Sequence, residues 1–242
     1  MLNRHGGGFT PSTMIPDAQT FRAFYASPKG ELARGVIGQR LGLRLQVSQQ
    51  QRILGLGYTV PYLDTFSSTA KLVIAAQPAN MGVAHGQSAV LVEDETLPFA
   101  DALFDWVIAV HAIELCENLR RTMREIWRVL AQDGRVLLVV PNRTSLWAQL
   151  ENSPFGHGRP YTRGQVERLL EECLFRAESW DTALFFPPFG CAAACACWDR
   201  VGHKLWPRLG GVHIVEATKS LYAPVPPARV PKKGRLVVRL AR

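Results

Sequence analysis

The stretch Arg52-Ile53-Leu54-Gly55-Leu56-Gly57-Tyr58-Thr59-Val60-Pro61 decides the fold. A short apolar run reaches two glycines spaced Gly-x-Gly and then breaks into a polar stretch that can start a helix. Glycine at both positions lets the backbone turn tightly and approach a ligand, because no Cβ stands in the way. The pattern predicts the first strand and tight turn of a nucleotide-binding α/β domain. An ordinary glycine turn at the end of a strand is the alternative for this stretch taken alone.

Strand and helix patterns alternate after this turn. Apolar residues at helical spacing predict a helix over 119–130, which Asp133-Gly134 is expected to end in a turn, and a further helix carries Val166, Leu169, Leu170 and Cys173 on one face. Such alternation predicts a parallel sheet with right-handed crossovers, whose ligands bind beyond the carboxyl ends of the strands. The predicted strands cover 53–57, 71–76, 88–92, 104–110 and 135–140, with a sixth within 175–186 and a last one within 211–222.

The two ends of the chain differ from this central region. Glycines and prolines in residues 1–16 predict a flexible tail, and the Pro-containing basic segment 223–242 predicts another. Between them we expect one domain over 17–222. Its helices at 17–45 begin at Asp17 and carry Phe21, Phe24 and Tyr25. Insertions are expected at 142–163 and 187–207. The amphipathic stretch 191–206 predicts core packing, with contact to a membrane surface as the alternative.

Composition describes an ordinary globular protein. Of the 242 residues, 47% are hydrophobic and 20% charged, which excludes a disordered or coiled-coil chain. No run reaches the roughly 18 apolar residues of a membrane span, and no signal peptide is evident, so the sequence predicts a cytoplasmic protein. An odd number of cysteines makes a disulfide framework unexpected. The cluster Cys191, Cys195 and Cys197 lacks paired C-x-x-C spacing, so no metal site is expected.

The net charge of +8 indicates an acidic partner, such as nucleic acid, an anionic membrane surface or an anionic substrate. Much of the excess lies in the carboxyl-terminal tail, so a solvated basic tail is the alternative explanation. No recognisable RNA-binding module is present. A specific nucleic-acid partner is therefore not expected, and nucleic-acid modification ranks below the other functions.

With these elements in order, the chain resembles the class I S-adenosylmethionine-dependent methyltransferases, particularly the group with small, diverse substrates. The resemblance covers about residues 52–175. It rests on the Gly-x-Gly turn, on the acid-x-x-x-Leu-Pro-Phe segment from Glu93 to Phe99 that leads into Phe104-Asp105, and on the run from Arg128 to Val136. It implies a Rossmann-like, doubly wound, mostly parallel seven-stranded sheet with helices on both faces, and S-adenosyl-L-methionine as cofactor.

The resemblance also implies the cofactor-binding residues. The glycine turn would pass under the methionine and ribose, Glu93 and Asp94 would contact the adenine, and His111 would line the methyl-donor pocket. For His111, a histidine at a strand-to-helix corner is the alternative. The residues implied by the resemblance are Gly55, Gly57, Tyr58, Gln77, Glu93, Asp94 and His111.

Three positions depart from the family pattern. Ile53 stands where an acid usually precedes the first glycine, and Thr59 replaces the third glycine of the turn. Ala75 aligns with the acid that binds both ribose hydroxyls. Losing a charge-assisted hydrogen bond costs about 1.5–3 kcal/mol. Gln77 is two residues further on and could partly substitute as a neutral group.

A dense loop after the fifth strand supplies candidates for substrate contact. Arg159 could bind a carboxylate or phosphate, His157 could act as a base, and Tyr161 lies beside them. A glycine-rich loop with solvated side chains is the alternative. The sequence thus predicts a methyltransferase acting on a small, anionic or hydrophobic molecule. The alternative is a non-catalytic relative that has lost the cofactor site and serves in binding or scaffolding.

Overall fold

The computed structural model describes residues 15–82, 89–149, 153–187 and 209–220, together with Asp199, Gly202 and Lys204. Outside the described residues lie most of the predicted tails and the three clustered cysteines. The stretch 191–206 also lies outside them, apart from the three single residues just named.

Seven strands form one sheet in the order β3-β2-β1-β4-β5-β7-β6. The pairs from β3 through β5 are parallel, whereas β7 runs antiparallel to both β5 and β6. The fold class implied by the resemblance is confirmed. The strands are β1 (Arg52–Gly57), β2 (Leu72–Pro78), β3 (Ala89–Val92), β4 (Phe104–Val110), β5 (Leu130–Pro141), β6 (Phe175–Ala183) and β7 (Val212–Lys219).

Helices cover both faces of the sheet. On one face, apolar side chains of α1, α2 and α3 pack on the sheet, and on the other face those of α4 and α5 do so. The side chain of Asp17 begins α1 by accepting a hydrogen bond from the backbone N–H of Thr20 at 2.8 Å. The helices are α1 (Ala18–Ala26), α2 (Pro28–Arg44), α3 (Val60–Leu63), α4 (Leu119–Val129) and α5 (Arg163–Glu172).

The end of α4 corrects one expectation. The helix ends at Val129, and not at Asp133-Gly134, because Leu130 adopts an extended backbone and pairs with Phe104 of β4. The register then shifts between Phe104 and Trp106, which pairs with Arg135. The predicted turn residues therefore form an irregularity within β5 that precedes its regular part.

None of the described helices is long and apolar enough to cross a membrane. Within the same part of the chain, no three metal-ligating side chains come together as a candidate metal site.

Candidate functional site

The carboxyl ends of the central parallel strands bring the predicted site residues to one edge of the sheet. Gly57 at the end of β1 pairs with Val110 at the end of β4, directly before His111. Pro78 at the end of β2 pairs with Val92 at the end of β3, directly before Glu93. Four turns therefore meet at this edge, as expected for a ligand site in a parallel sheet.

Both glycines of the turn are required by the packing of the chain itself. Gly57 has a φ of +87°, and a Cβ there would lie 2.2 Å from the carbonyl oxygen of Val110. The next residue, Tyr58, donates its backbone N–H to that same oxygen at 2.9 Å. A Cβ on Gly55 would lie 2.2 Å from Oγ1 of Thr59. The turn is thus fixed between β1 and β4 whether or not a ligand is bound.

Two buried polar atoms near this turn have no partner among the described residues. They are Oγ1 of Thr59, which is 0% exposed, and Nε2 of Gln77, which is 2% exposed. A buried donor without a partner costs about 1–3 kcal/mol, so such atoms point to a polar ligand. Gln77 lies next to the end of β2, whereas Ala75 lies opposite Gly55 within the strand. The amide of Gln77 therefore lies nearer to the carboxyl end of β2 than Ala75 does.

The two acids after β3 have different surroundings. Glu93 is exposed, whereas Asp94 is partly buried and accepts a hydrogen bond at 3.4 Å from the hydroxyl of Thr122 on α4. Burial raises the pKa of Asp94. Of the two, Asp94 has the fixed carboxylate that could accept a hydrogen bond from an adenine amine.

Aromatic side chains cover the part of the edge beyond β1 and β4, around Tyr58. The rings of Phe21 and Tyr25 from α1 stack on Tyr58 at centroid distances of 4.9 and 5.6 Å. His111 contacts Phe21 at 4.9 Å from one side and Phe155 at 4.8 Å from another. None of these side chains is more than 6% exposed. We call the group the aromatic cap, and it consists of Phe21, Tyr25, Tyr58, Tyr62 and Phe155.

A chain of buried hydrogen bonds runs through the aromatic cap. Tyr62 donates its hydroxyl to that of Tyr25 at 2.9 Å, which lies 2.8 Å from Nε2 of His111. Nδ1 of His111 lies 3.1 Å from Oε1 of Glu114, whose Oε2 is buried and has no partner in the described part of the chain. Burial raises the pKa of both Tyr25 and Tyr62, so their hydroxyls stay protonated at neutral pH.

The predicted substrate loop packs onto the turn after β4. The backbone N–H of Arg159 donates to the carbonyl of Glu114 at 2.9 Å. Gly158 has a φ of +73°, and a Cβ there would lie 2.4 Å from the same oxygen. Nδ1 of His157 is buried without a described partner, whereas the side chain of Arg159 is exposed. The structure therefore brings the segment of His157 and Arg159 to the turn that holds His111.

Tyr161 also lies within electrostatic range of Arg159 and of Glu114. It packs against the core on the α4 and α5 face, and burial raises its pKa to about 12. There it lines an open cavity of about 570 Å³ together with Glu117, Arg120 and Arg168. The catalytic and cofactor roles of all these residues stay predictions.

Sequence reasoning missed the residues that α1 and α3 contribute. Phe21 and Tyr25 are four residues apart, a spacing that places both on one helix face, but nothing local shows that this face meets Tyr58. Glu114 follows His111 by three residues, which was the available signal for their contact.

Part of the sequence is similar to that of known methyltransferases. Residues 52–138 match the family described as "Methyltransferase domain". YrhH of Bacillus subtilis, a protein named as a methyltransferase, is 32% identical over 85 residues, which are 34% of this chain and 44% of YrhH. The chain therefore spans less than half the length of that relative.

The fold is shared with solved structures, among them the following two. One is a methyltransferase from Thermotoga maritima described as a possible histamine N-methyltransferase, with a TM-score of 0.59 and 17% identity over 83% of this chain and 95% of that one. The other is an S-adenosylmethionine-dependent methyltransferase from Archaeoglobus fulgidus, with a TM-score of 0.56 and 17% identity over 82% of this chain and 97% of that one. At these identities the likeness shows the fold.

Proposed function

We propose that this protein transfers a methyl group from S-adenosylmethionine to a small molecule, because residues 52–138 match the family described as a methyltransferase domain. One observation carries the proposal. The segment that matches the family is the one whose strands bring Gly57, Gln77, Asp94 and His111 to a single edge.

The side chains at this edge suit the nucleoside end of the cofactor. Nε2 of Gln77 is a buried donor without a described partner, and a ribose hydroxyl would accept from it. The carboxylate of Asp94 would accept from the adenine amine. When bound, S-adenosylmethionine supplies a methyl group attached to a positively charged sulfur. The chain then has to hold an acceptor in line with that group, and positioning alone provides much of the rate.

Access to the methyl-donor end requires α1 to move. Phe21 and Tyr25 cover Tyr58, which directly follows the glycine turn. We therefore expect the cofactor to bind a form of the protein in which α1 has shifted away from Tyr58. The free energy of that opening reduces the apparent affinity, since only the open fraction binds.

Calorimetric titration of the full chain with S-adenosylmethionine and with S-adenosylhomocysteine tests the proposal. We expect saturable binding of both. Thr59→Val is the matched variant, because it keeps the shape of the side chain and removes the buried hydroxyl that has no described partner. It should weaken binding severalfold, since one hydrogen bond contributes about 0.5–1.5 kcal/mol. Absence of binding at millimolar cofactor, both to the wild-type chain and to the variant Phe21→Ala that opens the aromatic cap, would sink the proposal.

The second candidate is a non-catalytic relative that keeps the fold as a binding or scaffolding protein. The closed aromatic cap favours it, as does the presence of Ile53 and Ala75 where the family carries acids. The same titration separates the two candidates. If Phe21→Ala, which opens the cap, also fails to bind either nucleoside, the non-catalytic function stands and the methyltransferase function is lost.

A further inference from the structure

The orientation of the buried hydrogen bonds leaves His111 with a lone pair directed at a phenol. When Glu114 is a carboxylate its oxygens only accept, so Nδ1–H of His111 then donates to it across 3.1 Å. Nε2 is then the acceptor, and the hydroxyl of Tyr25 donates to it across 2.8 Å. Tyr62 in turn donates to the oxygen of Tyr25. Tyr25 thus makes the hydrogen bonds that a phenol bound beside a histidine base would make, although burial raises the pKa of its own hydroxyl and keeps it protonated.

The ring of Tyr25 is also held as a bound aromatic molecule would be. It stacks on Tyr58 with planes 11° apart, and its centroid lies 6.0 Å from that of His111, which it meets at 60°. The ring of Tyr62 meets it edge-on at 5.9 Å. Offset stacking and edge contacts of this kind are the preferred arrangements for aromatic rings. The compartment therefore fits a flat ring that carries one hydroxyl.

This compartment lies where an acceptor would have to be. Tyr58 directly follows Gly57 and His111 directly follows Val110, and these two strand ends are paired. The ring of Tyr25 consequently lies between the two turns that flank the proposed methyl-donor site. His111 also has a φ of +53°, which is uncommon for a residue other than glycine and is frequently found at functional sites.

We propose that the methyl acceptor of this protein is a phenol, that Tyr25 occupies the acceptor's place in the closed form, and that His111 is the base with Glu114 as its positioning residue. This inference rests on the proposed function. When α1 moves, the phenol of the substrate replaces that of Tyr25 on Tyr58 and on Nε2 of His111.

The transfer balances with these groups. The O–H bond of the phenol breaks and its proton goes to Nε2 of His111, while the oxygen forms a bond to the methyl carbon. The bond from that carbon to sulfur breaks, and its electron pair stays on sulfur, giving an aryl methyl ether and S-adenosylhomocysteine. Glu114 stabilises the imidazolium that results. Its buried carboxylate, with Oε2 unpartnered among the described residues, is costly to keep unless it has such a role.

A binding experiment without cofactor tests the site. Tyr25→Ala keeps the Cβ and removes a group of the size of phenol, so the two probes are phenol and benzene, which differ by the hydroxyl alone. We expect phenol to bind this variant at least about tenfold more tightly than benzene by calorimetry, since a buried donor and acceptor pair is re-formed. The preference should disappear in Tyr25→Ala/His111→Asn. Equal binding of both probes to the single variant would overturn the site.

A transfer experiment on the full chain tests the base. 4-Methylphenol has to lose its proton, whereas a nitrophenol that is ionised at the assay pH does not. His111→Asn is chosen because asparagine tolerates positive φ. It should lower kcat/KM for 4-methylphenol by about 100-fold or more and leave that for the nitrophenol nearly unchanged. Glu114→Gln should show the same selectivity with a smaller loss. An equal loss for both acceptors overturns the role of His111.

His213→Gln serves as the control, because His213 is also a buried histidine but lies on β7 beside Trp180. It should change transfer to neither acceptor. Failure of this inference can be distinguished from failure of the proposed function, because binding of S-adenosylhomocysteine is measured separately by calorimetry. Cofactor binding with turnover of an amine or a carboxylic acid but of no phenol overturns this inference and leaves the proposed function standing. Cofactor binding with no turnover of any phenol overturns it as well.

Discussion

The carboxyl edge of the sheet has two halves with opposite surroundings. Beyond β2 and β3 the side chains are polar, because Gln77 has a buried donor without a partner among the described residues and Asp94 has a partly buried carboxylate bound by Thr122. Beyond β1 and β4, the aromatic cap fills the space with packed rings. We infer that the half for the nucleoside is preformed, whereas the half for methyl transfer has to open. Substitutions should therefore lower stability in the closed half and lower affinity in the polar half.

The largest effect is expected from Phe21→Ala in the closed half. Phe21 is 0% exposed and lies between Tyr58 and His111. Removing such a ring costs about 3–5 kcal/mol of the free energy of unfolding. The same change should tighten binding of S-adenosylhomocysteine, because a larger fraction of molecules is open. Urea denaturation and calorimetry measure the two effects.

Gln19→Ala on the same helix is the matched control, since Gln19 is exposed. It should change stability by less than about 0.5 kcal/mol. If Phe21→Ala destabilises the protein but weakens nucleoside binding, Phe21 belongs to the binding surface. The description of a closed half would then be wrong.

His213 lies outside both halves and makes the stability of the protein depend on pH. This effect has to be separated from the effects of the substitutions in the two halves. Burial lowers the pKa of His213 on β7 to about 4, against about 6.5 in the unfolded chain. Between those values the unfolded chain binds a proton that the folded protein does not, so stability falls as the pH falls. The full loss is about 3 kcal/mol.

Urea denaturation at about pH 7 and at about pH 4.5 measures this loss, and His213→Gln should flatten most of it. A wild-type protein whose stability does not change between these two values would contradict the burial of a neutral His213. The activity of His111 variants is best compared above this window, where His213 is neutral in both states.

The sheet was largely predictable from sequence, because its information is local. Apolar runs that end in glycine or in acids mark the strands, and the two glycines of the first turn are required by close contacts with the Thr59 side chain and with the Val110 carbonyl. The end of β2 was not predictable in this way. The sequence predicted a strand over 71–76, whereas the strand register shows that β2 continues through Gln77 to Pro78.

The aromatic cap could not be predicted, because it joins distant parts of the chain. The hydrogen-bonded series runs from Tyr25 and Tyr62 to His111 and Glu114, and no local pattern links a helix before the sheet to a turn after its fourth parallel strand.

In the polar half, Gln77→Leu should affect affinity more than stability. The variant removes a buried donor that has no described partner, so the free energy of unfolding should stay the same or rise. Binding of S-adenosylmethionine should weaken by about fivefold to tenfold, the value of one hydrogen bond. Gln77→Glu should instead strengthen binding, because a carboxylate accepts from both ribose hydroxyls. A large loss of stability in Gln77→Leu would show that the amide has a structural partner.

The smallest effect is expected from Asp94→Asn, which removes the negative charge of a side chain in the polar half. Burial raises the pKa of Asp94 above its ordinary value, so the folded protein disfavours the carboxylate, and stability is lost as the pH rises through this range. Asparagine should therefore raise the free energy of unfolding near neutral pH by less than about 1 kcal/mol, while weakening nucleoside binding. The gain should shrink as the pH is lowered towards about 4, where aspartate itself becomes protonated.

Glu93→Gln is the control, because Glu93 is exposed, and it should change neither stability nor nucleoside binding. If Asp94→Asn destabilises the protein at neutral pH, the hydrogen bond from Thr122 outweighs burial and the carboxylate is kept for the fold instead of for a ligand.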